Sequence, residues 1–179
     1  MGDWVPVAAD FERAATHESG HAVVALSLGV AIERVERLSA DDLPEVLTSR
    51  DFHAGAAVKH VMGAFVKLNP RQQFLILFGG MAAETLVFGK YDPDAAAADF
   101  DALKPNVLTE AQSAGLVELA QIPLKNNFEF FHKLRAKVTK RLATSSDTTL
   151  LQGAAINAKF KKSGSRTDLL DELFRLLPE

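Results

Sequence analysis

The chain contains no cysteine. That excludes a disulfide framework, a thiolate zinc finger, an iron–sulfur cluster and a cysteine nucleophile, and it fits a reducing compartment. An excess of positive charge is also missing. Lys+Arg total 20 against 23 Asp+Glu, a formal net charge of −3, so nucleic acid is not an expected partner. No apolar run approaches the roughly 18 residues that a membrane helix needs; the longest are interrupted by Gly, Lys or Asn. Residues 1–10 show no basic stretch followed by an apolar one, so no secretory signal is expected. Pro6 stands where a myristoylation signal prefers Ser or Thr. These absences lead us to expect a cytoplasmic protein without a membrane segment.

What is present is ordinary for a globular chain. Of 179 residues, 47% are hydrophobic and 24% charged, which excludes wholesale disorder and suffices for one domain. Residues 9–28 predict a helix, with Phe11, Ala14, Ala15, Ala22, Val23 and Leu26 at helical spacing and Gly29 placed to end it. Val30 to Leu38 predicts a strand. Residues 39–55, with Pro44, predict a loop or brief helical turn. Ala57 to Leu68 predicts one or two strands. Asn69-Pro70 is a cap followed by proline at the first helical position, and that helix is expected to run to Phe88 and stop at Gly89. After the Asp92-Pro93-Asp94 turn, Asp94 can cap a helix starting at the Ala95–Ala98 run and ended or kinked by Pro105. Residues 108–177 read as helical throughout, with breaks at Pro123, Thr144–Asp147 and Ser163–Ser165. The expected class is mainly α (α+β), a single domain over 1–179. It divides into a metal-site part of about 9–104, with a small sheet in the N-terminal third, and a helical part of about 106–179.

The informative stretch is Thr16-His17-Glu18-Ser19-Gly20-His21, an H-E-x-x-H inside the first predicted helix. Residues four apart share a helix face, so both imidazoles can reach one ion. Imidazole suits Zn²⁺. Glu18 is placed to take a proton from water and pass it to a leaving group. The alternative is an amphipathic helix with two ordinary histidines and a solvated glutamate. Two histidines do not complete a catalytic zinc site; a third protein ligand is needed. No histidine follows at the metzincin spacing. The remaining candidates are His53, His60, Glu84, Asp92, Asp94, Asp99, Asp101 and His132. Asp99 lies near the start of a predicted helix, where a carboxylate is favoured. Glu84 falls midway along an Ala-rich helix beside Gly79-Gly80. That pattern suits close packing against the zinc helix and a role orienting an imidazole, with direct ligation as the alternative.

Residues 14–25, AATHESGHAVVA, resemble the zinc helix of the peptidase domain of FtsH-type AAA proteases, close to HEAGHAVV. Leu77 to Gly89, LFGGMAAETLVFG, is similar to that family's LLGGRAAEELVFG. Ala97-Ala98-Asp99-Phe100 loosely matches a third element, a Gly-Ala-x-x-Asp-Leu-like helix start. The three blocks occur in family order, and the resemblance covers roughly residues 11–104. Met81 stands where the family has arginine, alanines replace a Gly-rich segment before Asp99, and Pro105 interrupts a helix that normally continues. The region between the first strand and Pro70, which in the family includes the strand that receives substrate, matches poorly. There is no G-x-x-x-x-G-K-[ST], so no ATPase module is read in this chain.

The resemblance implies a zincin-like helical fold and a zinc-dependent, ATP-independent metallopeptidase acting on peptides or unfolded segments. His17, His21 and Asp99 would hold Zn²⁺, and Glu18 would be the general base. It implies two further partners, copies of the chain itself and an ATPase acting in trans. The competing reading is an inactive, metal-binding or metal-free homologue serving as a binding or regulatory module. Elsewhere, His53 and His60 read as carbonyl-polarising or as surface or structural histidines, and Tyr91, just before the Asp99 turn, as a candidate oxyanion donor. Asn127 to Phe131 reads as core or an oligomer contact. Lys159-Phe160-Lys161-Lys162 reads as a solvated helix end.

Overall fold

The structure, a computed structural model, describes residues 8–38, 56–60, 62–102 and 108–178. Among them the chain runs α1 (Ala8–Ser27), β1 (Ile32–Arg37), β2 (Ala56–His60), α2 (Met62–Phe65), α3 (Pro70–Leu77), α4 (Gly79–Phe88) and α5 (Ala97–Ala102). It continues through α6 (Glu110–Asn126), α7 (Phe128–Thr144), β3 (Thr149–Gln152), α8 (Gly153–Ser163) and α9 (Leu170–Leu176). The architecture is mainly helical with one small antiparallel sheet, as expected from the sequence. The expected loop at 39–55 and the expected effect of Pro105 fall outside the described residues.

Helix α1 is the spine. It packs on α4 along one side and α7 along another, with α3, α6 and β2 closing the remainder. Ala15, Ala22, Val23, Val24 and Ala25 are fully buried. A helix covered on most faces must be apolar or small most of the way round, and that is the composition after Ala14. It ends where Gly29 takes a φ of 84°. The Gly29 N–H bonds the Leu26 carbonyl and the Val30 N–H bonds the Ala25 carbonyl, a Schellman stop that needs a residue tolerant of left-handed backbone.

Helix α3 opens as its sequence dictates. The Asn69 side chain accepts from the Gln72 N–H, the Gln72 side chain accepts from the Asn69 N–H, and Pro70 is the first helical residue. The expected single helix from 70 to 88 is instead two, turned at Phe78. The Phe78 N–H still reaches the Phe74 carbonyl and its own carbonyl still receives the Ala82 N–H. The turn aims Gly79 and Gly80 at α1. Phe78 is buried there, edge-on to Phe100 of α5, with ring centroids 6.2 Å apart.

The sheet has strand order β2–β1–β3, both pairings antiparallel. Two sequence expectations are corrected here. The stretch 57–68 is not all strand: β2 stops at His60 and residues 62–65 form a helical turn. Residues 108–177 are not helical throughout, because Thr149–Gln152 pairs with β1. The sheet therefore draws on both parts of the chain. Asn157 of α8 extends that pairing: its side chain donates to the Ile32 carbonyl at 2.8 Å and accepts from the Ile32 N–H at 2.9 Å. Arg37, at the far end of β1, donates to the Leu142 and Ser145 carbonyls, satisfying backbone acceptors at the C-terminus of α7 that would otherwise lack partners.

Candidate metal centre

His17 and His21 lie one helical turn apart on the face of α1 that meets α3, α4 and α5. Their rings meet edge to face with centroids 4.7 Å apart. Small residues let the backbones come this close. A Cβ on Gly20 would fall 2.2 Å from the Gly79 carbonyl oxygen, and one on Gly80 would fall 2.4 Å from His17 Nε2. Gly80 is thus the floor on which the His17 ring lies, while Gly79 lies against the Gly20 backbone. Any larger residue there would take the ring's place.

Helix α5 brings Asp99 across from 82 residues away. Its Oδ2 stands 2.9 Å from His17 Nε2 and 3.4 Å from His21 Nε2. These three side chains form a group that could hold a metal ion, with one donor atom from each all within 4.8 Å of one another. Donors about 2.0–2.1 Å from a tetrahedral Zn²⁺ stand roughly 3.3 Å from each other, and the two observed separations bracket that value. The donor set, two imidazoles and a carboxylate, is one that zinc uses.

The outer nitrogens of both rings are engaged. His17 Nδ1 donates to Glu84 Oε1 at 2.6 Å, and His21 Nδ1 donates to the Ile76 carbonyl at 2.8 Å. Each bond holds a proton on Nδ1 and turns Nε2 toward the shared space, where a metal ion would take the place of the Nε2 proton. Glu84 is fully buried. Its second oxygen receives Arg13 of α1 and, at 3.0 Å, the Asp92 N–H. The Arg13 guanidinium also sits 4.7 Å from the Phe88 ring centroid. Glu84 therefore stands behind the His17 ring, outside the group formed by His17, His21 and Asp99.

The electrostatics follow from burial and proximity. Burial alone would depress the His17 pKa, but the Asp99 and Glu84 carboxylates override it and hold it at about 10. His21 is raised in the same way, burial again opposing and Asp99 prevailing. Burial would raise the Asp99 pKa, yet the two imidazoles hold it well below the usual carboxylate range. Glu18 is pushed upward, chiefly by burial. Its Oε2 accepts from the Val58 N–H of β2 at 2.9 Å. Val58 lies opposite Val35 in the β1 pairing but sends its N–H the other way. Among the described residues no strand pairs with this edge of β2, which faces Glu18.

Of the other candidates, His132 stacks on Phe128, with ring centroids 6.2 Å apart, outside this group. Asp92 contributes its backbone N–H to Glu84, while its side chain accepts from the Asp94 N–H. Tyr91 is half-buried against the core. His60 ends β2, and His53 lies outside the described residues. Sequence reasoning missed Arg13, although it sits four residues before His17 on the same helical face. It also missed the Ile76 carbonyl and the Val58 N–H, which no side-chain motif announces. No family model matches this chain, and no curated protein does either. Among the described residues no helix is long and apolar enough to cross a membrane.

Proposed function

We propose that the protein is a zinc-dependent, ATP-independent metallopeptidase resembling the peptidase domain of FtsH-type proteases. One observation carries this reading: two histidines four residues apart and a distant aspartate converge, with the glutamate of the same H-E-x-x-H motif beside them. Zinc held by His17, His21 and Asp99 would supply Lewis-acid polarisation of a scissile carbonyl and a lowered pKa for water. Glu18 takes the proton of the attacking water as the new C–O bond forms. It then hands that proton to the amine nitrogen as the C–N bond breaks. An upward-shifted carboxylate suits both steps, because it holds the proton between them. Glu84 and the Ile76 carbonyl keep the imidazoles in one tautomer and orientation. The edge of β2 beside Glu18, which no described strand covers, offers an extended substrate backbone a strand to pair with. Substrates are peptides or unfolded segments. The chain acts in the cytoplasm, as copies of itself or with an ATPase in trans.

One observation favours a second reading, a binding or regulatory module: the Glu18 carboxylate is already occupied by the Val58 N–H. Zinc content and casein hydrolysis together separate the two. The peptidase should carry about one zinc per chain, lost in His21→Ala and Asp99→Ala. Glu18→Gln should keep its zinc and lose about 10²–10⁴-fold in cleavage rate. Zinc without any cleavage selects the module. No zinc after reconstitution overturns the metal centre itself.

A further inference from the structure

Across α1 from the metal centre, a groove of about 640 Å³ runs between α7, β3 and α8. Its floor is apolar: Phe130 and Leu134 come from α7, Leu151 from β3 and Ile156 from α8. Phe128 stands at one end with half of its surface exposed, 53%. The walls carry four lysines and one carboxylate. Lys133 and Lys137 project one turn apart from α7, and Lys159 and Lys162 from α8. Glu129, the one carboxylate in this lining, is taken by Lys133 at 2.5 Å. Lys137, Lys159 and Lys162 have no acidic partner in the groove. Lys159 stands close enough to Lys137 to depress its pKa, through a hydrogen bond and like charge.

Two walls of ammonium groups above an apolar floor define what fits. Exposed apolar surface with a polar rim is the composition of an interaction site rather than of ordinary surface. The volume falls within the range of ligand grooves. A single carboxylate or phosphate could bridge Lys137 and Lys159, where the walls meet, but it would leave Lys162 and the apolar floor uncovered. Cations spread over both walls call for several anionic groups carried on one body, and the floor between them calls for apolar side chains on that body. An amphipathic helix with its apolar stripe flanked by acids meets both demands. On a chain of net charge −3, Lys137, Lys159 and Lys162 gathered around one groove make this face favour acidic partners.

We propose that this groove docks an acidic amphipathic segment of a partner protein, its apolar side chains seated on Phe130, Leu134, Leu151 and Ile156 and its Asp or Glu side chains paired with Lys137, Lys159 and Lys162. None of these residues belongs to the metal centre, so the inference does not depend on hydrolysis.

The test is a selection of random 16-residue peptides displayed on phage against the full chain, followed by fluorescence anisotropy with the enriched peptides. The expected winners carry Leu, Ile, Phe or Trp at helical spacing flanked by Asp and Glu. Their affinity should fall about tenfold or more in Lys137→Glu/Lys159→Glu, and by less in Lys137→Gln/Lys159→Gln. Raising the salt concentration should weaken it as well. All the substituted side chains are exposed, and circular dichroism verifies that both variants fold. Failure to enrich acidic peptides, or equal binding by the charge-reversed variant, overturns the proposal. So does tighter binding of a single-stranded oligonucleotide than of any peptide. Concentration-dependent dimerisation abolished by Lys137→Glu/Lys159→Glu would also overturn it, by giving the groove to a second copy.

Discussion

The candidate metal centre and the α7–α8 groove handle charge in opposite ways. At the centre, Arg13, His17, His21, Glu84 and Asp99 are packed between helices, and each charge meets one of opposite sign. In the groove, Lys137 and Lys159 are exposed and meet each other. Buried ions are costly to strand, because removing one partner leaves the other without water or counter-ion. Exposed ions cost little either way, since solvent screens them. The first region should therefore dominate stability, and the second should affect only what binds.

The sharpest way to break this comparison is Glu84→Ala. It strands Arg13 and His17 Nδ1 together and opens a cavity between α1 and α4. The expected loss is about 3–5 kcal/mol in urea unfolding. The milder Glu84→Gln keeps an acceptor for His17 but not the charge facing Arg13. It should retain most of the stability while weakening zinc affinity about 10- to 100-fold. A Glu84→Ala protein as stable as the parent would mean that the buried network is not what holds these helices together.

Next in size is the pH response of the metal-free protein. His17 is raised from the ordinary histidine value to about 10. A raised pKa means that the folded state binds its proton more tightly than the unfolded chain. The stabilisation is complete below about pH 6.5 and disappears as pH rises through about 10. Chelator-treated protein should lose stability on the order of a few kcal/mol over that window. Zinc binding must displace the same proton, so affinity should climb by up to about tenfold per pH unit across it. A flat profile in the chelated protein would place the His17 proton elsewhere.

Gly80→Ala is a steric version of the same question. The added methyl would sit 2.4 Å from His17 Nε2, so the ring must leave its floor. Overpacking of this kind costs about 1–3 kcal/mol, and zinc binding should be lost with it. Retained zinc would show that the ring has a second way to reach Asp99.

Much of the centre was readable in the sequence because helical periodicity is local. The four-residue spacing of His17 and His21 sets their shared face without any tertiary knowledge. Asn69-Pro70 and Gly89 likewise mark the ends of their helices through backbone chemistry alone. Asp99 was different: its placement came from a resemblance, since nothing local ties it to a helix 82 residues earlier. Three features escaped for physical reasons. β3 is a four-residue stretch, Thr149-Leu150-Leu151-Gln152, between two helices, too short to show alternation, and only its pairing with β1 makes it a strand. The turn at Phe78 leaves helical hydrogen bonding nearly intact, so periodicity passes through it unchanged. The Ile76 carbonyl and Val58 N–H are groups that almost every residue carries, and only folding selects which ones face the site.

The smallest expected effect has the opposite sign. Lys137 titrates below its ordinary range because Lys159 hydrogen-bonds it and repels it. A lowered lysine pKa means that at neutral pH the folded state holds this proton less readily than the unfolded chain does, so the charge is mildly destabilising. Removing it in Lys137→Gln should leave stability unchanged or raise it, by at most about 0.5 kcal/mol after screening. Added salt should shrink even that gain, because it weakens the repulsion in the parent protein. Thermal unfolding of parent and variant at low and high salt reads both the sign and its decay. A loss of stability in Lys137→Gln would mean that the ammonium has an acidic partner after all. The groove would then be a balanced surface, and the contrast between the two regions would fail.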